Sequence, residues 1–212
     1  MDQLLAGVFY KRLQNPIEWV VQYQQTNTVF GPLNLGTATN FGFELDVRKY
    51  FSNFGVSGNY TFTNSQITTK KVVYSNHLTD SVSQTRPLEG QSEHVANLSL
   101  LYKDFESGTN AQISAVYTGA AIVGVSVYKD DDVWQKGYVQ LDFSGEQKIF
   151  GNFAVYVKIT NILNTAREEV IHQTYHDSQY PQHITNQTDG QDVLIRHELY
   201  DRNYILGIRL KM

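Results

Sequence analysis

The chain has 212 residues and a formal net charge of −4, and it contains no cysteine. This length suits one sizeable domain, and the scattered basic residues exclude an electrostatic surface for nucleic acid. The lack of cysteine excludes disulfides and thiolate metal sites, while 14 Tyr and 11 Phe against 4 Pro favour pleated sheets over a helical bundle.

No run of about 18 apolar residues is present, so the sequence predicts no transmembrane helix. A membrane β-barrel stays possible, because its strands alternate apolar and polar residues and have the average hydropathy of a soluble protein. The start of the chain, MDQLLAGVFYKR, lacks the parts of a secretory signal. We therefore expect any export signal to lie outside this chain.

Apolar and polar residues alternate in eight segments, each of them longer than the roughly five or six residues of an ordinary strand. The predicted strands cover residues 3–12, 37–50, 55–69, 93–103, 109–125, 135–149, 152–161 and 203–212. In the second of them, Phe41 and Phe43 occupy one face while Glu44 and Asp46 occupy the other. The sequence therefore predicts an all-β, antiparallel fold.

The connections between the predicted strands alternate in length. Those after the second, fourth and sixth strands have roughly 3 to 6 residues, and the others have roughly 10 to 30. All short turns then lie at one end of the sheet and all long loops at the other. This is the pattern of an outer-membrane β-barrel with tight periplasmic turns and long extracellular loops, whereas soluble all-β sandwiches, the alternative, usually mix their loop lengths.

A series of short motifs runs through nearly the whole chain. In order these are LAGVFYKRLQNPIEWV, NLGTATNFGFELDVRKYF, NYTFTNSQI, RPLEGQSEHVANLSLLY, VKITNILNT and the terminal RNYILGIRLKM. Together they resemble the TonB-dependent receptors of bacterial outer membranes, close to those with carboxypeptidase-regulatory-like extensions. The resemblance implies a barrel of about 22 strands filled by an N-terminal plug, with a short periplasmic segment that contacts TonB.

On this resemblance, residues 1–212 form a single domain that corresponds to the last eight strands of a receptor barrel. The implied function is a part in TonB-dependent uptake of a nutrient such as a siderophore, a glycan or a peptide, at the bacterial outer membrane. The implied partners are outer-membrane lipid, the plug domain and the remaining strands, with TonB reached only through segments outside this chain. The alternative is a free-standing small barrel or a non-functional receptor fragment with a structural role.

The alternation also assigns faces to individual residues, because a barrel in lipid turns its apolar side outward. We expect seven charged residues to face the lumen as candidates for contact with substrate or plug, or to pair with one another: Glu44, Asp46, Arg48, Asp142, Glu146, Lys158 and Arg209. We expect the last strand to face lipid through Tyr204, Leu206, Ile208, Leu210 and Met212.

The loops contain further groups of chemical interest. His172, His176 and His183 lie in one polar stretch, but the HExxH order of a zinc site is missing. Asp130, Asp131 and Asp132 do not follow the spacing of a calcium loop, and a solvated loop is the favoured interpretation.

Trp19 and Trp134 lie near the predicted loop-side strand ends, where an interfacial aromatic belt is expected, and either ring is also able to stack on a ligand. Glu168 and Glu169 are adjacent and point to opposite sides of a strand, so they cannot share a substrate. No nucleophile motif or phosphate-binding loop is present, so the sequence predicts no enzyme, cofactor or metal.

Overall fold

The structure, a computed structural model, describes residues 2–24, 27–75, 78–172 and 191–210. Its regular structure consists of β-strands, which confirms the predicted all-β class. Across the described residues, no helix is long and apolar enough to cross a membrane.

Fifteen strands are present in the described part of the chain. In chain order they are β1 (Gln3–Gln14), β2 (Ile17–Gln24), β3 (Asn27–Asn34), β4 (Thr37–Phe51), β5 (Phe54–Ser75), β6 (Leu78–Arg86), β7 (His94–Asp104), β8 (Thr109–Thr118), β9 (Ala121–Ser126), β10 (Val133–Gln135), β11 (Tyr138–Phe150), β12 (Phe153–Thr160), β13 (Arg167–Ile171), β14 (Val193–Glu198) and β15 (Asn203–Leu210).

Eight of these strands form one antiparallel sheet in the order β1-β4-β5-β7-β8-β11-β12-β15, and β6 pairs with the far half of β5. These eight correspond one by one to the eight predicted strands. β1 and β15 are the edges of the sheet as described, so the sheet is an arc and not a closed barrel.

The pairing register joins the predicted apolar faces of neighbouring strands. Val8 lies opposite Phe43, Phe43 opposite Phe62, and at the other edge Val157 lies opposite Leu206. Because residues directly opposite each other point to the same side of a sheet, one continuous apolar face, here called the outer face, crosses all eight strands. It is open, with Val8 89% and Leu206 78% exposed.

The short connections β4–β5, β7–β8 and β11–β12 all lie at one end of the eight-stranded sheet, as predicted. Each contains a residue with positive φ: Ser52 at 55°, Gly108 at 67° and Gly151 at 50°. At Gly108 a Cβ atom would lie 2.5 Å from Cβ of Lys148, so this turn requires glycine for space as well as for conformation.

The long loops contain seven strands that the sequence analysis did not predict. Six of them form a second sheet in the order β14-β13-β10-β9-β2-β3, in which β2 and β9 are parallel. The predicted strand 109–125 was wrong in its second part, because the chain leaves the main sheet after Thr118 and β9 joins the second sheet. Likewise, residues 133–135 form β10, and β11 begins only at Tyr138.

The apolar core lies where the second sheet meets the main sheet. One cluster consists of Val20, Ile122 and Val125, and the other of Ala38, Ile67 and Leu88, with Leu35 packed against both. Ala38 and Ile67 belong to β4 and β5 and lie on the face opposite the outer face, here called the inner face. The second sheet therefore covers the inner face at the loop end and leaves it open at the turn end.

Candidate functional site

The seven predicted charged residues all lie on the inner face, but in two separate groups. Glu44, Asp46 and Arg48 lie on β4, while the other four lie on the far side of the arc. Three strands, β5, β7 and β8, separate the groups. The far group consists of Asp142 and Glu146 on β11, Lys158 on β12 and Arg209 on β15.

Arg209 and Glu146 form an ion pair near the short turns. The distance from Arg209 Nη1 to Glu146 Oε2 is 2.6 Å, and the guanidinium lies 5.2 Å from the centre of the Tyr156 ring. The Tyr156 ring covers the backbone of Gly207, where a Cβ atom would lie 2.6 Å from the ring. Lys103 and Lys158 line the same concavity of about 620 Å³, so three cations and one carboxylate meet there.

The β4 group has a different environment. Asp46 and Arg48 lie opposite the neutral Asn59 and Ser57, so the cross-strand pairing of charges considered above is not found at these positions. Neutral polar contacts continue across the arc, as from Asn97 Nδ2 to Asn59 Oδ1 at 2.6 Å. The inner face at the turn end is therefore a polar surface on which the seven predicted charges stand at the two sides, with Lys103 of β7 between them.

Asp142 of β11 holds the KITNILNT motif in place through a hydrogen bond to its backbone. Its carboxylate accepts hydrogen bonds from the backbone N–H of Asn161 at 2.9 Å and from the Gln140 amide at 3.1 Å. Asn161 has φ of 56°, and its side-chain oxygen accepts from the N–H of Thr165 at 2.9 Å. These bonds fix the turn that leads from β12 out of the main sheet.

A network of buried charges, which the sequence did not predict, lies at the loop end of the inner face. Arg86 donates two hydrogen bonds to Glu18, at 2.9 and 2.7 Å. Lys71 donates to Asp132 at 2.7 Å and to the backbone carbonyl of Ser126 at 2.5 Å. Four side chains that are at most 5% exposed thus join β2, β5, β6 and the loop before β10.

Burial and pairing shift the pKa values of this network. Burial raises the pKa of Glu18, but the hydrogen bonds from Arg86 and from the N–H of Glu89 outweigh it, so the Glu18 pKa lies below its usual range. Burial lowers the pKa of Lys71, against the attraction of Asp132. Burial also raises the pKa of Glu89. In this network each buried charge is therefore compensated by a hydrogen-bonded partner of opposite charge.

A signal for this network was present in the sequence. Glu18 stands between Ile17 and Trp19 in an apolar run, and Arg86 opens the RPLEGQSEHVANL motif. A lone charge in an apolar run indicates a buried partner. Since the two residues are 68 positions apart, local periodicity could not pair them.

The loop residues considered for metal binding do not form a site in the described part of the chain, where no three His, Cys, Asp or Glu side chains converge. His172 contacts Asp192 at 2.6 Å, while His176 and His183 lie outside the described residues. Asp130 accepts a hydrogen bond from Gln84 at 2.8 Å. Asp132 belongs to the buried network instead.

Both tryptophans lie in the second sheet and not in an aromatic belt of the main sheet. Trp19 is in β2 and stacks on Phe30 with ring centres 5.5 Å apart. Trp134 is in β10, and its ring centre lies 5.1 Å from that of His172. The expected position was wrong because the loops form strands of their own.

An arc of long antiparallel strands, with an exposed apolar outer face and a polar inner face, defines the wall of a membrane β-barrel. The sequence match narrows the class: residues 2–162 match the family model described as TonB dependent receptor-like, beta-barrel. The chain belongs to this family of outer-membrane transport receptors. Among curated proteins, none matches the sequence significantly.

Solved structures of receptors share the fold. The siderophore receptor PiuA from Acinetobacter baumannii matches with a TM-score of 0.60 at 16% identity, over 97% of this chain and 25% of that one. The ferric-catecholate import receptor Fiu from E. coli K12 matches with 0.56 at 18% identity, over 98% and 25%. The FrpB iron transporter from Neisseria meningitidis gives 0.52 at 15%, over 97% and 28%. The chain thus spans about a quarter of the length of each receptor.

Proposed function

We propose that this chain forms part of the wall and of the extracellular loops of a receptor that imports a nutrient across a bacterial outer membrane by TonB-dependent transport. The observation that carries the proposal is the continuous, exposed apolar face of the eight-stranded sheet. A soluble protein seldom leaves such a large apolar surface in water, whereas a barrel in lipid requires it.

In this proposal the outer face contacts lipid, including Tyr204, Leu206, Ile208 and Leu210 of β15; Met212 lies outside the described residues. The inner face lines the lumen. The concavity with Glu146, Lys158 and Arg209 then lies near the periplasmic turns, where a plug domain of the complete receptor would contact it. The second sheet lies on the extracellular side, over the mouth of the lumen.

The alternative of a closed, free-standing eight-stranded barrel requires β1 to pair with β15. In the part of the chain that the structure describes, these strands are the two unpaired edges of the sheet. An unpaired edge in lipid leaves backbone N–H and C=O groups unsatisfied. The arc therefore favours a wider barrel completed by further strands.

Spin labelling tests the assignment of the two faces, because the chain has no cysteine and single cysteines can be placed freely. The complete gene product, in a cysteine-free form in lipid vesicles, would carry a label at Leu98 or Ile208 on the outer face or at Asn97 or Ser99 on the inner face. Outer-face labels should collide with oxygen and inner-face labels with a polar nickel complex. Equal access of both groups to the nickel complex would refute a membrane wall.

Nutrient uptake is tested separately by deleting the gene and growing the strain with a ferric siderophore as sole iron source, or with an oligosaccharide or a peptide as sole carbon source. Complementation in strains with and without functional TonB identifies energy-coupled transport. Normal growth of the deletion strain in all three arms, under conditions where the gene is expressed, would contradict the uptake function.

A further inference from the structure

Two cavities in the loop region meet at the indole ring of Trp134. The larger, of about 390 Å³, lies between the loop that follows β6, the start of β7 and the end of β8, and its wall includes Asn64, Glu93 and Tyr117. The smaller, of about 190 Å³, is lined by Gln84, Arg86 and His172 among others. Trp134 and Pro87 line both. We call these two cavities with Trp134 the indole site.

Strand pairing fixes the position of Trp134 in the absence of a ligand. In β10, Trp134 pairs with Ile122 on one side and with Val170 on the other, both fully buried. The register shifts between Val133 and Trp134, and a bulge of this kind redirects a side chain. Two residues earlier, Asp132 is fixed by Lys71 and by the N–H of Ser126. The indole is therefore a preorganised surface, which lowers the entropy cost of binding.

The charges around the indole site disfavour an anionic ligand. The wall of the larger cavity contains the carboxylate of Glu93 and no lysine or arginine. In the smaller cavity the one cation, Arg86, is already bound by Glu18 through two hydrogen bonds, and Asp130 and Asp132 line the same wall. A carboxylate or catecholate ligand would meet like charge without a free cation to compensate it.

Buried acceptors at the same walls lack hydrogen-bond donors. Among the described residues, Asn64 Oδ1 and Gln84 Oε1 are buried without a hydrogen-bond donor, whereas Arg86 Nε lies 3.6 Å from Asp132 Oδ2 in an ion pair. Hydroxyl groups both donate and accept. A ligand rich in hydroxyls, with an apolar ring face to lie on the indole, therefore matches the site better than a charged chelate.

We infer that the indole site binds a neutral saccharide, with one sugar ring against Trp134 and its hydroxyls directed to Glu93 and to the amide side chains. This inference rests on the proposed extracellular position of the second sheet and names the substrate class of the receptor. The cavity volume of the larger part lies in the range of small-ligand sites.

Isothermal titration calorimetry of the complete gene product in detergent tests the inference with three probes, namely maltohexaose, chitotetraose and xylotetraose. We expect at least one to bind with a Kd below about 1 mM, and Trp134→Leu to weaken that binding by about tenfold or more. Trp134→Phe, which keeps an aromatic face, should lose less. Glu93→Gln, on an exposed side chain, should weaken binding several-fold without disturbing the fold.

The matched control is Trp19→Leu, since Trp19 lies in the same sheet but lines neither cavity of the indole site. It should bind the saccharide as the unmodified protein does. Absence of binding for all three probes, unchanged binding in Trp134→Leu, or equal losses in both tryptophan variants would overturn the inference. Binding of a ferric tris-catecholate that depends on Trp134 would overturn it as well. The spin-label profile is independent of all these outcomes, so failure here is distinguishable from failure of the membrane assignment.

Discussion

The two halves of strand β5 carry opposite patterns. From Phe54 to Phe62 the large apolar side chains point to the outer face, and the inner face is polar. Beyond Phe62 the inner face carries Ile67 and Val73, both buried under the loop region, while Lys70 is exposed on the outer face. Strand β5 thus alternates along its whole length, but its apolar residues move from the outer face to the inner face at Phe62.

The switch of the apolar side at Phe62 marks the point where the environment of the sheet changes. Apolar side chains leave water by the nearest route, which is lipid for the first half and packed protein for the second. From Phe54 to Phe62 there are eight steps of about 3.3 Å, which at a strand tilt of about 40° rise roughly 20 Å, close to the apolar band of an outer-membrane barrel. The proposed membrane surface therefore lies near Phe62.

Charges differ between the halves in the same way. Beyond Phe62 the inner face holds the buried network of Glu18, Arg86, Lys71 and Asp132, in which each carboxylate has a cation within hydrogen-bonding distance. At the turn end of the inner face, by contrast, the Arg209 side chain is 56% exposed although it pairs with Glu146. A buried charged side chain requires a partner of opposite charge, whereas a solvent-exposed one does not.

Removing a cation from the buried network should have the largest effect. Arg86→Met leaves Glu18 buried without its partner, so we expect a loss of about 3–5 kcal/mol in the stability of the second sheet. Hydrogen exchange of the β2 and β9 amides measures this as faster opening. Arg48→Met, at an exposed inner-face position between neutral neighbours, is the matched control and should change little. Equal protection of the β2 and β9 amides in both variants would contradict the proposed difference between buried and exposed charges.

A charge placed on the outer face should distinguish the two halves directly. Leu98→Arg lies at mid-height of the lower region, 54% exposed, and should cost about 2–4 kcal/mol in lipid. Gln66→Arg on the outer face above Phe62 should cost less than about 1 kcal/mol. Refolding of the complete protein into lipid vesicles, followed by its change in gel mobility on heating, measures both. Similar costs at the two positions would remove the proposed membrane boundary.

The sequence predicted the eight wall strands because apolar and polar residues alternate along each of them. Phe43, Leu98 and Ile208 lie on the outer face, the side to which the alternation assigns the apolar residues, whereas the register between the strands was not predicted. The turns were also predictable, since residues such as Gly151 mark where a strand must reverse.

The second sheet could not be predicted in this way. Its strands are short, as with the three residues of β10, and its partners are distant, as with Val20 and Val125 in the parallel pair of β2 and β9. A strand of three residues has too few positions to show a period. The Trp134 cavities and the buried charges depend on these long-range pairings, so they appear only in the folded chain.

Acid should weaken the region beyond Phe62 by a smaller amount than Arg86→Met. The folded-state pKa of Glu18 is lowered from 4.5, so its contribution is present above that pH and is lost as the pH falls through the lower folded-state value. Glu89 has a raised pKa and opposes this loss, because its protonation favours the folded state. Hydrogen exchange of β2 measured from pH 7 downward should therefore show faster opening in acid, more steeply in Glu89→Gln and less steeply in Glu18→Gln.

The smallest effect is expected where water reaches one member of a charge pair. Arg209→Met removes a cation partner of Glu146. The Glu146 side chain is 12% exposed, but the Arg209 side chain is 56% exposed, so water reaches the pair and the loss should be about 1 kcal/mol, shrinking further at high salt. Arg209→Lys, which keeps a positive charge, is the control. Refolding of the complete protein in lipid measures both variants. A loss above about 3 kcal/mol would mean that a further element of the receptor buries the whole pair, as the second sheet buries Glu18 and Arg86.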